Sequence, residues 1–244
     1  MEQFRQALAR ARERDDAGAI GDLGFNLAVA QLRAGQPAAA LVTARDVEAE
    51  LMRRSANPGG ADIAGLHLAQ AIALYRTGQP LAADAIATKI EGGSDAVSAR
   101  AAFLRGLIAD DRADMAGLQA AWARIAGARE PEHQGDAAEL AARLALRQGD
   151  PARARAEAER AADIRRTLLD YRSLARSLAL AARAAALAGN RPAAADLYLR
   201  AGRGAAQDDE ESAKRWLNQA IGLSRDPMLT RSARAALTHL GPQR

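Results

Sequence analysis

Apolar residues in this chain recur at steps of three, four and seven, the spacing that gathers side chains on one face of a helix. Ala194, Leu197, Tyr198 and Ala201 form one such stripe, and Ala213, Trp216, Leu217 and Ala220 form the next. Each predicts a one-sided helix that needs neighbours. Clusters of Gly, Pro, Asp and Asn interrupt the pattern often enough to predict about thirteen helices, most of roughly 12 to 20 residues, joined by short connections. The longest connections fall near Asn57 to Gly60 and Glu130 to Gly135. One stretch departs from one-sidedness: Ile63 to Tyr75 is apolar on nearly every face, with only His67 and Gln70 polar.

The breaks share a phrase. Gly35-Gln36-Pro37-Ala38-Ala39, Gly78-Gln79-Pro80-Leu81-Ala82, Gly149-Asp150-Pro151-Ala152 and Gly189-Asn190-Arg191-Pro192-Ala193 each place glycine ahead of a proline and alanines. Glycine just past a helix end takes the left-handed conformation at little cost, and proline in the first turn of the next helix gives up an N–H that had no partner. A recurring turn implies a recurring unit. The interval between Gly78 and Gly149 is nearly twice the others, which predicts a turn that has lost its glycine, placed at Asp110-Asp111-Arg112.

Residues at fixed offsets after these glycines complete the unit. Gly189 is followed by Ala194, Tyr198 and Ala201, Gly149 by Ala154, Ala158 and Ala161, Gly78 by Ala83, Ala87 and Ile90, and Gly35 by Ala40, Ala44 and Val47. Spanning roughly Ile20 to Ser224, this pattern resembles the tetratricopeptide repeat, a helix pair of about 34 residues with small side chains where the helices cross. Repeats here are mostly longer, and alanines replace the family's aromatic and glycine in the first helix, so the likeness is to a divergent, longer-helix branch. Asp208, Ala213, Leu217 and Ala220 also fit, which leaves two registers open near the C-terminus.

The resemblance implies an all-α fold: a right-handed α-solenoid of antiparallel helix pairs, about five repeats plus end helices, in a single domain. Residues 1–17 would form an N-terminal helix, 18–224 the repeats, and 225–244 a closing helix and tail, with Arg231, Arg234 and His239 facing water. It also implies a concave groove lined by first helices. Transferred position by position, the groove would receive Phe25, Val29, Leu32 and Arg33, then Leu68, Ile72, Tyr75 and Arg76, then Arg105 and Ile108. Further along it would receive Arg143, Leu146 and Arg147, then Arg176 and Arg183, making it apolar at first and basic beyond. Members that clamp a terminal carboxylate use Lys and Asn at groove positions. Apart from Asn26 these are missing, so that activity is not implied.

Composition agrees with helices, because alanine is the commonest residue while aromatics make up 3% and β-branched runs are absent. Of 34 basic residues only Lys89 and Lys214 are lysines, and 30 acids reduce the formal charge to +4. Such a small excess does not predict nucleic-acid binding, which needs basic residues clustered on one face. There is no cysteine, which excludes disulfides and thiolate chemistry. The stretch Ile63 to Tyr75 falls short of the roughly 18 apolar residues that a membrane-spanning helix needs. Met1 leads into an Arg-punctuated helix with no signal-peptide pattern, which fits a cytoplasmic protein, or a periplasmic protein or lipoprotein whose leader has been removed.

Catalytic patterns are missing. His67, His133 and His239 lack partners at metal-ligand spacing, so no metal or other cofactor is expected. Ser94 follows two glycines outside any nucleophile elbow and reads as a helix N-cap. Gly202-Arg203-Gly204 falls within or at the end of a helix and cannot cradle phosphate. The acids Asp208 to Glu211 suit a helix N-terminus, with Glu210–Lys214, Glu211–Arg215, Arg153–Glu157 and Arg155–Glu159 as pairs four apart. The sequence therefore predicts a non-catalytic scaffold that holds a segment of a partner protein. The alternative is a carrier of an amphipathic lipid, whose tail would lie along Ile63 to Tyr75 and whose head group would meet the basic rim.

Overall fold

The computed structural model describes residues 1–54, 60–90 and 95–240. Thirteen helices and no strand occur among them. In chain order they are α1 (Glu2–Glu13), α2 (Ala17–Arg33), α3 (Pro37–Arg54), α4 (Gly60–Arg76), α5 (Pro80–Ala87), α6 (Asp95–Asp111) and α7 (Met115–Ile125). There follow α8 (Pro131–Arg147), α9 (Pro151–Thr167), α10 (Tyr171–Leu187), α11 (Arg191–Ala205), α12 (Glu210–Leu223) and α13 (Pro227–His239). The chain is all-α, and within α1 to α5 and within α7 to α13 each helix packs on its sequence neighbours. The cap expected at Ser94 and most of the connection from Asn57 lie outside the described residues. Glu130 to Gly135 is not a connection: α8 begins at Pro131, with proline in the first turn where its missing N–H is harmless.

The punctuation is more regular in three dimensions than in sequence. Among the described residues, seven that follow helix ends have positive φ: Gly35, Gly78, Gly149 and Gly189 at 72–78°, and Asp15, Ala113 and Leu169 at 55–57°. At each, the next residue's N–H reaches back to the last helical turn, as in Asp114 N to Ala109 O at 2.8 Å and Asp150 N to Ala145 O at 2.9 Å. This is the bond of a Schellman C-cap. The same next residue often opens the following helix. The carboxylates of Asp16, Asp114, Asp150 and Asp170 and the amide of Asn190 accept the N–H three residues on, at 2.9–3.2 Å.

The degenerate turn is thus Ala113-Asp114-Met115, not Asp110-Asp111-Arg112. It stands in register with Gly149-Asp150-Pro151, with Ala in place of Gly and Met in place of Pro. Leu118 and Ile125 then occupy the buried offsets that Ala154 and Ala161 hold in the following unit.

Contacts divide the chain into two compact units, Met1–Ile108 and Ala109–Arg244. In the first, α2 packs on α3 and on α4, around Ile20, Leu27, Ala40, Ala44, Val47 and Leu66. A second cluster joins Leu74, Ala83 and Ala87 to Leu104 and Ile108. In the second unit, α8 to α12 pack consecutively, α8 also touches α10, and α11 touches α13. Its core is built largely of alanines, including Ala158, Ala162, Ala181, Ala194, Ala201 and Ala213, with Leu217 and Tyr198 among them. Small side chains at the crossings let the helices approach closely and fill the space with backbone.

Candidate functional site

Charged residues within the second unit form a connected, largely buried network. Two helix faces supply most of it. On α8, Asp136, Glu139, Arg143 and Arg147 fall at steps of three and four, and on α10 Ser173, Arg176 and Ser177 do the same. Between them Arg165 projects from α9, at the position that continues the stripe Ala154, Ala158 and Ala161. The C-terminal turn of α6 contributes Asp110.

Arg165 is 2% exposed, and its guanidinium is satisfied from several sides. Its Nη2 donates to Asp136 Oδ1 at 3.0 Å, and its Nη1 donates to Glu139 Oε2, Ser177 Oγ and the Ser173 carbonyl. Glu139, fully buried, also accepts from Arg143 Nη2 at 2.9 Å. Arg143 extends the chain to Asp110 Oδ2 at 2.8 Å, where Arg147 Nε donates to Oδ1 at 2.7 Å and Arg147 Nη2 to the carbonyl.

Burial works against charge on Glu139, but Arg165, Arg143 and Arg176 overcome it and hold its pKa below the usual 4.5. Burial likewise opposes charge on Arg143 and Arg165, and their carboxylate partners more than compensate, so both pKa values rise. Arg176 behaves oppositely. Burial lowers its pKa, and the attraction of Glu139 and Asp136 is offset by repulsion from Arg165 and Arg143.

The Ser177 hydroxyl faces the Arg165 guanidinium, and the Ser173 hydroxyl accepts from Arg176 Nη2 and also bonds the Asp170 carboxylate. What the arrangement does is hold charge in place, and what it can bind is an anion. Elsewhere, His67 Nε2 lies 2.9 Å from Glu48 Oε1, His133 Nδ1 lies 3.6 Å from Glu130 Oε2, and His239 is exposed. Among the described residues no three His, Asp or Glu side chains are grouped to hold a metal ion.

The residues expected to line a groove have several fates. Leu32, Leu68 and Ile108 are buried at 4%, 6% and 1% exposure, and Phe25, Val29, Ile72 and Tyr75 are partly buried. Arg33 is exposed, Arg76 Nη1 donates to the Leu32 carbonyl at 2.6 Å, and Arg105 Nε pairs with Asp84 Oδ1 at 3.0 Å. In the second unit Leu146 is partly buried, Arg143 and Arg147 are committed to Asp110, Arg176 borders the network, and Arg183 is exposed. Nearly the whole of Ile63 to Tyr75 is packed inside its unit: Leu66, Ala69, Gln70, Ala71, Ala73 and Leu74 are all buried.

Sequence reasoning missed Asp110, Asp136, Glu139 and Arg165. A signal was present in two cases, since Arg165 occupies a core position of an alanine stripe and Glu139 interrupts Ala137-Ala138 and Leu140-Ala141. A charge at a core position implies a buried partner. No protein-family model matches the chain, and comparison with curated proteins finds no match.

Proposed function

We propose that the chain is a right-handed α-solenoid of the tetratricopeptide kind and acts without catalysis, by holding a segment of a partner protein against its first helices. The observation that carries this reading is the meeting of α8 with α10 across α9. There α10 carries the exposed Arg183 and the partly buried Arg176, with the partly buried Leu174 on the same helix and Leu146 on α8, while Arg143 and Arg147 of α8 are taken up by Asp110. Guanidinium groups suit carboxylates and apolar neighbours supply an anchor, the combination that peptide-holding surfaces use. The lipid-carrier alternative rested on the apolar helix α4, and burial of Leu66, Leu68 and Leu74 leaves that helix little surface for a tail.

Selection of displayed random peptides on the full chain tests the reading. The expected result is an enriched sequence family that binds with micromolar affinity and weakens at least tenfold, ~1.4 kcal/mol, on Arg183→Glu or Leu146→Ser. No enrichment, or peptides indifferent to both changes, overturns it. A lipid that co-purifies in native mass spectrometry and is lost on the same substitutions would favour the carrier.

A further inference from the structure

Arg176 differs from every other arginine of the buried network in having no counter-ion. Arg143, Arg147 and Arg165 each make at least one ion pair with Asp110, Asp136 or Glu139. The guanidinium of Arg176 makes one hydrogen bond, Nη2 to Ser173 Oγ at 3.1 Å on its own helix, and no ion pair among the described residues. Its Nε–H is shut off from water and has no acceptor. A guanidinium carries five N–H donors in a fixed plane, so most of this one is unused.

The surrounding charges do not replace a counter-ion. Glu139 and Asp136 attract Arg176 from α8, but both Glu139 oxygens and Asp136 Oδ1 are engaged by Arg165 and Arg143, which repel it. Asp170, at the start of the same helix, feels both Arg165 and Arg176 while its Oδ1 accepts the Ser173 N–H at 3.2 Å. Arg176 is only partly buried, yet enclosing even one guanidinium N–H without an acceptor is costly, and a side chain chosen for packing alone would be apolar there. Groups kept at a cost to stability mark function.

We propose that Arg176 anchors a carboxylate-binding site, its free N–H groups taking the carboxylate of an acidic side chain or chain end brought in by a partner segment. A singly charged planar anion fits better than a phosphate dianion, because Glu139 and Asp136 lie close enough to repel the second charge. Ordered by Arg165 and Arg143, the network fixes the two carboxylates on α8 and keeps them from turning to Arg176. The biological source of the ligand rests on the partner-segment reading. The chemistry of the site does not.

Titration of the full chain with small probes, read at the side-chain Nε–H resonance assigned through its loss in Arg176→Met, tests the site directly. The probes are N-acetyl-glutamic acid α-amide for an acidic side chain, N-acetyl-alanine for a chain end, N-acetyl-glutamine α-amide as neutral control, and phosphate. A saturable shift with either carboxylate, none with the neutral amide, and a weaker response to phosphate is the expected result; the responding probe identifies the source. No saturable shift by about 100 mM, a Kd at which binding is worth only ~1.4 kcal/mol, or a stronger response to phosphate, overturns the proposal.

Stability supplies a second reading. Arg176→Met should leave Tm unchanged or raise it by about 2–4 °C, whereas a fall of that size shows that Arg176 serves the fold and overturns the site. Enriched peptides that bind Arg176→Met as tightly as wild type remove the carboxylate site and leave the partner reading standing. Probe binding without any enriched peptide does the reverse.

Discussion

Leu169 carries a backbone conformation that glycine adopts at four equivalent turns, with φ at 57° and a side chain 67% exposed. A left-handed residue with a Cβ costs about 1–2 kcal/mol, and little packing offsets that cost here. Leu169→Gly should therefore raise stability by about 1 kcal/mol, seen as a higher urea midpoint at unchanged slope; a lower midpoint would mean that the leucine makes a needed contact. At Glu139 the balance is the other way. Glu139→Ala takes away one of the two carboxylates that pair with Arg165 and should cost about 3–5 kcal/mol, while Arg165→Met should cost less in that chain than in the wild type, because the Glu139–Arg165 pair is already gone. A double-mutant cycle in which the two changes simply add would show that the pair is not coupled.

Close approach is decided at the scale of helix pairs. Gly24 of α2 lies under Val47 of α3, and a Cβ added there would meet both Val47 methyls at 2.6 Å. Alanine is the better helix former, yet Gly24→Ala should destabilise by about 1–3 kcal/mol, because valine has one comfortable rotamer in a helix and cannot yield. Adding Val47→Ala should relieve much of that penalty in the same unfolding assay. Capping acts at this scale as well. Asp114→Ala removes the acceptor 2.9 Å from Gly117 N and should cost about 1 kcal/mol. Hydrogen exchange should show the loss first in the opening turn of α7, and uniform exchange along the helix would assign it elsewhere.

Acid should act unevenly on the whole molecule. Glu139 has its pKa held below 4.5 in the folded state, so the unfolded chain binds more protons as pH falls through that range. Stability from its ion pairs is fully present above about pH 4.5 and is lost progressively below it. Asp170, lowered from 3.8 against the effect of burial by Ser173 and then Arg165, adds to the loss in the same direction. Both belong to the second unit. Hydrogen exchange between pH 5 and 3 should show amides of the second unit losing protection at the higher pH; simultaneous loss in both units would place the acid-sensitive group elsewhere.

Helices, their turns and most of the alanine core were determined by the sequence alone, because those features depend on local backbone preference and on periodicity along one element. Gly149, Pro151 and the offsets Ala154, Ala158 and Ala161 each state their role without reference to distant residues. Ala113 and Leu169 were not legible, since the same left-handed turn forms without glycine when the surrounding helices impose it. Nor was the network. Asp110, Glu139 and Arg165 lie far apart in sequence, and a charge's partner is set by which helix faces meet. The tertiary structure turned Arg143 and Arg147 from groove candidates into members of ion pairs, buried Leu68 and Ile108, and left Arg176 without a counter-ion. Pairing of charges in a low-dielectric interior is a property of three-dimensional proximity, and no one-dimensional pattern contains it.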